Sequence, residues 1–198
     1  MGKKILRYGL WIIAIIILMW TILTFWVEAN GKSTIKYYGN KKASNHIMIV
    51  YDPDPIYNLD QQICEQYAET FTRKGCFAVV ASVSEAVTLN PGNYELIVLC
   101  ANTYNWAPDW AITGFIKKLN IENKKTVAIT LGAGSTSRSA KKFTEIILHR
   151  KVILANNFSY WLWRPNDDSR TNESNIKVAL DKAAQDAETV YTKTLNIP

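Results

Sequence analysis

The chain has 198 residues and a formal charge of +6, with 48% hydrophobic, 20% charged and 12% aromatic residues. This is too apolar and too aromatic for a disordered chain, and the length suits one domain with an appendage. Three cysteines exclude a disulfide-stapled miniprotein, and two histidines argue against a histidine-rich metal site. Lys3, Lys4 and Arg7 precede the first acid, Glu28, so the remainder holds 20 basic against 17 acidic side chains. That balance argues against a nucleic-acid binder, which needs a clustered basic face.

Tyr8 to Val27 is a run of 20 residues without a charge. At about 1.5 Å per residue such a helix spans roughly 30 Å, the thickness of the bilayer hydrocarbon. Trp11, Trp20 and Trp26 include rings near both ends, where indoles favour the interface. Residues 1–27 therefore read as a transmembrane anchor that contacts lipid through 8–27. Val27-Glu28-Ala29 offers a small-residue cleavage site, but the run exceeds the usual signal core of about 7–15 residues, which favours an uncleaved anchor. The three N-terminal basic residues put the soluble part outside the cytoplasm by the positive-inside rule, although Lys32, Lys36, Lys41 and Lys42 flank the other end. Residues 28–45 are polar and basic and read as a linker.

From His46 the pattern alternates. IMIVY (47–51), FAVVASV (77–83), ELIVLC (95–100), TVAITL (126–131) and KVILAN (151–156) read as strands, and the continuous apolar runs suit strands buried on both faces. Leu59, Ile63, Tyr67 and Phe71 mark a helix face between the first two. Further helices are predicted from Pro108 to Leu119, around Phe143 and Ile147, and from about Asn175 to Thr192. Pro108 would sit in a first turn, where a missing N–H does no harm. Strands alternating with helices predict an α/β domain over residues 46–194, a three-layer doubly wound five-stranded parallel sheet. In such sheets ligands bind beyond the carboxyl ends of strands where strand order reverses. Residues 52–58, 101–107 and 132–137 would share that rim.

Two stretches carry a family likeness. NYELIVLCANTYNWAP (93–108) and KKTVAITLGAGSTS (124–137) resemble the third and fourth strands of flavodoxins with their loops. The resemblance extends over residues 46–194. It implies a flavodoxin-like sheet of order 2-1-3-4-5 and a site for flavin mononucleotide (FMN) at the rim. It matches Tyr104 and Trp106 to the aromatic loop that lies against the isoalloxazine ring, where flat apolar faces favour a flat apolar ring. Asn102, Thr103 and Asn105 would bond the ring's polar edge. Gly132, Ala133, Gly134 and Ser135 match the second flavin-side loop, where small residues allow close backbone approach.

The first loop departs from that pattern. Flavodoxins hold the FMN phosphate there on Ser, Thr and backbone N–H groups at a helix N-terminus. This chain has Asp52-Pro53-Asp54-Pro55-Ile56-Tyr57-Asn58. Prolines offer no N–H, and two aspartates repel a phosphate. Tyr57 and Asn58 remain as donors, and Asn58 as a helix cap. Three readings stay open: FMN held by a rearranged loop, a flavin without phosphate, or a site that has lost its cofactor. The segment 158–170, FSYWLWRPNDDSR, reads as an aromatic loop that is a lid, a membrane-facing patch or a satellite core.

Other chemistry is weakly supported. GAGSTS is no dinucleotide fingerprint, and Ser135 is not centred in a nucleophile elbow. His149 belongs at the far end of its helix. Cys64, Cys76 and Cys100 lack a C-x-x-C spacing, and Cys64 and Cys100 fall in core elements. No residue stands out as an acid–base catalyst. The expected function is membrane-anchored, flavin-based electron transfer, or reduction of a small acceptor such as a quinone. The alternative is a cofactor-free binding module that uses the aromatic rim.

Overall fold

The computed structural model describes residues 2–29 and 31–195; Met1, Asn30, residues 196–198 and the side chains of Lys3 and Ile5 lie outside the described part. Its elements are α1 (Gly2–Val27), β1 (Ile35–Tyr38), β2 (His46–Tyr51), α2 (Leu59–Arg73), β3 (Phe77–Ser82), α3 (Val83–Ala86), β4 (Leu96–Tyr104), β5 (Ala107–Pro108), α4 (Trp110–Lys118), β6 (Lys125–Gly132), α5 (Ser137–Leu148), β7 (Ile153–Trp161) and α6 (Asn175–Val190). The sheet runs β1-β3-β2-β4-β6-β7, with β5 folded back on β4. The pairs β2–β3, β2–β4, β4–β6 and β6–β7 are parallel. Taken alone, the five parallel strands follow the expected order 2-1-3-4-5.

The central strand shows why the sheet lies inside. Ile47, Ile49 and Tyr51 face α2 and α6, packing with Ile63, Tyr67, Phe71, Ala183 and Val190. Met48 and Val50 face the opposite layer, packing with Ile112, Ile116, Phe143 and Ile147 of α4 and α5. A strand with apolar side chains on both faces needs a helical cover on each, which is the three-layer solution. Cys64, Cys76 and Cys100 are all buried and unpaired as disulfides.

Three elements differ from the sequence expectation. First, Ile35–Tyr38, inside the stretch read as linker, pairs antiparallel with β3 and covers that sheet edge. Four residues, Ile-Lys-Tyr-Tyr, inside a polar stretch are too short a signal to read as a strand. Gly39, which ends β1, has φ +80°, and a Cβ there would lie 2.5 Å from the Cys76 carbonyl oxygen. Second, Pro108 lies in β5 rather than in a helix turn. Asp109 caps α4 instead, its Oδ1 accepting the Ile112 N–H at 2.7 Å.

Third, the last strand runs on to Trp161, so Phe158–Trp161 is strand and not loop. A register irregularity lies opposite Thr126 and Val127, where Leu154 and Asn156 pair and Ala155 is left over. Such a bulge switches the side chains from one face to the other. Leu154 packs with the α4–α5 layer, whereas Phe158 and Tyr160 pack with the α2–α6 layer. The break in alternation hides the strand from a period-2 reading.

Tyr160 is thereby fully buried, its hydroxyl 2.8 Å from the Tyr67 hydroxyl and 2.7 Å from Asp186 Oδ2, to which it donates. Tyr160→Phe would leave the Tyr67 hydroxyl without its partner. It is expected to lower stability by about 1–3 kcal/mol in urea unfolding; an unchanged midpoint would show that the three groups do not act together.

The helix α1 stands apart from the packed layers. Its Leu6–Val27 stretch is long and apolar enough to cross a membrane, and nearly all of it is exposed.

Candidate functional site

The carboxyl ends of β2, β4 and β6 open onto one cavity of about 280 Å³. The β4 end supplies Asn102, Thr103, Tyr104 and Asn105, the β6 end Leu131, Gly132 and Ala133, and the first loop Asp54, Ile56 and Tyr57. Trp20, Leu23, Thr24 and Val27 of α1 complete the wall. The helix is held there by three contacts. Asn105 Nδ2 donates to Thr24 Oγ1 at 3.1 Å, the Phe25 ring meets Trp110 edge-on at 5.6 Å, and Glu28 Oε2 accepts the Trp110 N–H at 2.6 Å.

Of the eleven residues singled out from the sequence, seven line this cavity: Asn102, Thr103, Tyr104, Asn105, Gly132, Ala133 and Tyr57. Four do not. Trp106 sits with Asn105 at the tip of the β4–β5 hairpin, both at positive φ (59° and 49°), as a two-residue turn of primed type requires. The turn throws the indole outward, and it is 60% exposed. Gly134 and Ser135 lie beyond the wall, and a Cβ on Gly134 would meet nothing within 4 Å. Asn58 makes no capping bond, since its backbone (φ −108°, ψ 24°) is not extended and its Oδ1 accepts from Gln62 Nε2 instead. Gly132 is small for the protein's own packing, because a Cβ there would come within 2.7 Å of the Thr136 methyl.

The chemistry of the first loop is set by carboxylates. Asp54 Oδ1 accepts the N–H groups of Ile56 (2.6 Å) and Tyr57 (2.8 Å), and Asp54 Oδ2 accepts the Tyr104 hydroxyl at 2.6 Å. Asp60 Oδ2 accepts the Asp54 N–H at 2.7 Å and Asn102 Nδ2 at 3.2 Å, while Asp60 Oδ1 accepts the Gln61 N–H. Asn102 Nδ2 also donates to the Asp52 carbonyl oxygen at 2.9 Å. Asp52 Oδ1 accepts the Gly31 N–H at 3.2 Å, which pins the chain just after α1 to the loop. Asp109 Oδ2 accepts the Asn102 N–H at 2.8 Å. Asp60, Asp109 and Glu28 carry no sequence pattern that marks them in advance; only the fold gathers them.

Asp52 and Asp60 are 4% and 2% exposed. Burial pushes each carboxyl up to about 6, and neighbouring carboxylates add to the shift. Burial also raises Asp109 and Glu28. Among the described residues, no ion pair involves Glu28, Asp52, Asp54, Asp60 or Asp109. Among the described residues, no lysine, arginine or histidine lines the cavity.

These residues do not fit the phosphate of FMN. Pro53 and Pro55 bring no N–H, and the loop's own carboxylates already accept those of Asp54, Ile56, Tyr57 and Gln61. The Asp54 carboxylate holds the place in the loop that a bound anion would take. At about 5 Å and an effective dielectric near 20, it would oppose each unit of phosphate charge by about 3 kcal/mol. Apart from Asp54 and Asp60, the residues lining the cavity are apolar or uncharged polar.

The stretch 158–170 divides among its three readings. Tyr160 is core, Leu162 lines the cavity, and Trp163 is exposed, its ring edge-on to Tyr57 at 6.4 Å. Trp161 is tied down, its Nε1 donating to Thr136 Oγ1 at 2.9 Å, with the Arg164 guanidinium 4.6 Å over its ring.

Strand order, helices on both sheet faces and a pocket at the carboxyl ends define a flavodoxin-like fold. Comparison with solved structures agrees. Flavodoxin 1 from Bacillus cereus is similar with a TM-score of 0.54 and 12% identity, over 75% of this chain and 98% of its own. A flavodiiron protein from Giardia intestinalis is similar at 0.52 and 13%, over 77% of this chain, and rubredoxin oxygen:oxidoreductase from Desulfovibrio gigas at 0.50 and 15%, over 76%. This chain spans 38% of the length of each of those two larger proteins. At such identities the likeness is one of fold. No family model and no curated protein sequence matches.

Proposed function

We propose that this chain is a membrane-anchored binding module on a flavodoxin-like fold, whose rim takes an uncharged ring in place of a flavin nucleotide. The observation that carries the reading is the Asp54 carboxylate seated on the Ile56 and Tyr57 N–H groups, where an FMN phosphate would need them free. Electron transfer through FMN, which the fold suggests, finds support only in the ring half of the pocket. The length and exposure of α1 support the anchor, and Arg7 with its two lysine neighbours supports a soluble part outside the cytoplasm.

The test is a paired titration of the full chain in detergent with riboflavin and with FMN, read by flavin fluorescence. The two share one ring and differ in the phosphate. Riboflavin is expected to bind at least about tenfold more tightly, a difference of about 1.4 kcal/mol. Equal or tighter binding of FMN, or binding of neither, would contradict the reading.

A further inference from the structure

The rim and the anchor share one cavity. Thr24 and Phe25 lie within the apolar stretch Leu6–Val27, yet they touch Asn105 and Trp110 of the rim. Trp20 also lines the cavity, and it lies seven residues before Val27, about 10 Å along the helix axis. The cavity therefore reaches down the side of α1 into the part of the helix that lipid would surround. Its α1 wall continues away from the rim along one helix face, because Ile16, Trp20, Leu23 and Val27 follow helical spacing. Trp106, Trp110, Tyr57 and Trp163 are exposed around the same end of the sheet, as rings seated at a bilayer interface would be.

The charge of the wall narrows the occupant. Two carboxylates, Asp54 and Asp60, line the cavity without a base, which disfavours any phosphate-bearing headgroup. The Asn105 amide lines the cavity, and one of its two N–H groups donates to Thr24 Oγ1, which leaves the other for a ligand. A donor with no cation beside it suits a carbonyl oxygen of a neutral ring.

We propose that the cavity opens to the bilayer and binds the ring of a lipid-soluble quinone, with its tail along the Ile16–Leu23 face of α1. This rests on the reading of the rim as a site for an uncharged ring and adds where the ligand comes from and what it carries. The site is neither a water-filled flavin cleft nor a phospholipid site.

The test uses the full chain in phosphatidylcholine nanodiscs, with decylubiquinone as probe and tryptophan quenching as readout. Quenching by a quinone that merely dissolves in the bilayer rises without saturation as its mole fraction rises. A bound quinone gives a saturable component. The expected result is saturation near one quinone per chain, at least tenfold weaker in Ala133→Phe, which fills the cavity from an exposed position. Matching near-ultraviolet circular dichroism would confirm that the variant folds. The tailless ring, 2,3-dimethoxy-5-methyl-1,4-benzoquinone, is expected to bind at least tenfold more weakly than decylubiquinone. Equal binding of the tailless ring would overturn bilayer access while leaving the ring site standing. Saturable binding unaffected by Ala133→Phe would overturn the placement. Saturable binding of neither quinone would overturn this proposal, and riboflavin binding in the separate titration would still uphold the ring site.

Discussion

Replacing Asp54 with serine is expected to tighten FMN binding at least about a hundredfold. The substitution removes one negative charge beside the incoming phosphate, worth about 3 kcal/mol per phosphate charge at 5 Å and an effective dielectric near 20. It also frees the Ile56 and Tyr57 N–H groups that Asp54 now occupies, and a charge-assisted hydrogen bond contributes about 1.5–3 kcal/mol. Against this stands the local order lost with the Asp54 turn and with the bond from the Tyr104 hydroxyl. Riboflavin affinity should stay within about threefold, since a phosphate-free ligand gains neither term. Flavin fluorescence titration of both proteins with both ligands checks the pattern. FMN affinity unchanged by Asp54→Ser would show that something other than this carboxylate closes the phosphate site.

Replacing Asp52 with asparagine is expected to stabilise the protein at pH 7 and to leave it unchanged near pH 4. The folded carboxyl titrates near 6, above its ordinary 3.8, chiefly because it is buried. Between those values the folded chain holds a proton that the unfolded chain has released, so stability falls as pH rises from about 4 to about 6. Two units correspond to about 3 kcal/mol, so a gain of about 1–3 kcal/mol is expected above pH 6. Asparagine keeps an oxygen for the Gly31 N–H, so the contact between the post-anchor segment and the loop survives. Asp60, shifted the same way, contributes a parallel slope that persists in the variant. Urea midpoints at pH 4 and pH 7 decide the matter. An equal change at both pH values would mean that packing, not charge, sets the effect.

The layered fold is legible in the sequence because strands buried on both faces leave continuous apolar runs, such as Ile47–Val50, that no surface element would show. The rim follows from topology, so seven of the eleven candidate residues converge on one cavity. What the sequence hides is hidden for physical reasons. The bulge at Ala155 inverts the facing of Phe158 and Tyr160 and so disguises a strand as a loop. The hairpin turn at Asn105 and Trp106 sends the indole away from the pocket, and composition says nothing of turn handedness. Asp60 and Asp109 look like ordinary helix-start acids; their burial beside Asn102 depends on three separate elements meeting. The contact between α1 and the rim joins residues more than 80 positions apart, such as Thr24 and Asn105, and no local pattern announces it.

The central claim is that the phosphate half of the rim is filled by the protein itself while the ring half is open. Backbone amide resonances of the full chain in detergent micelles report on the two halves separately. Addition of riboflavin is expected to shift the amides of Gly132 and Ala133, which line the cavity, and addition of FMN or inorganic phosphate to leave those of Ile56 and Tyr57 in place. Movement of the Ile56 and Tyr57 amides on adding phosphate would show that the Asp54 carboxylate yields its position to an anion, and would return the chain to the nucleotide-binding flavodoxins.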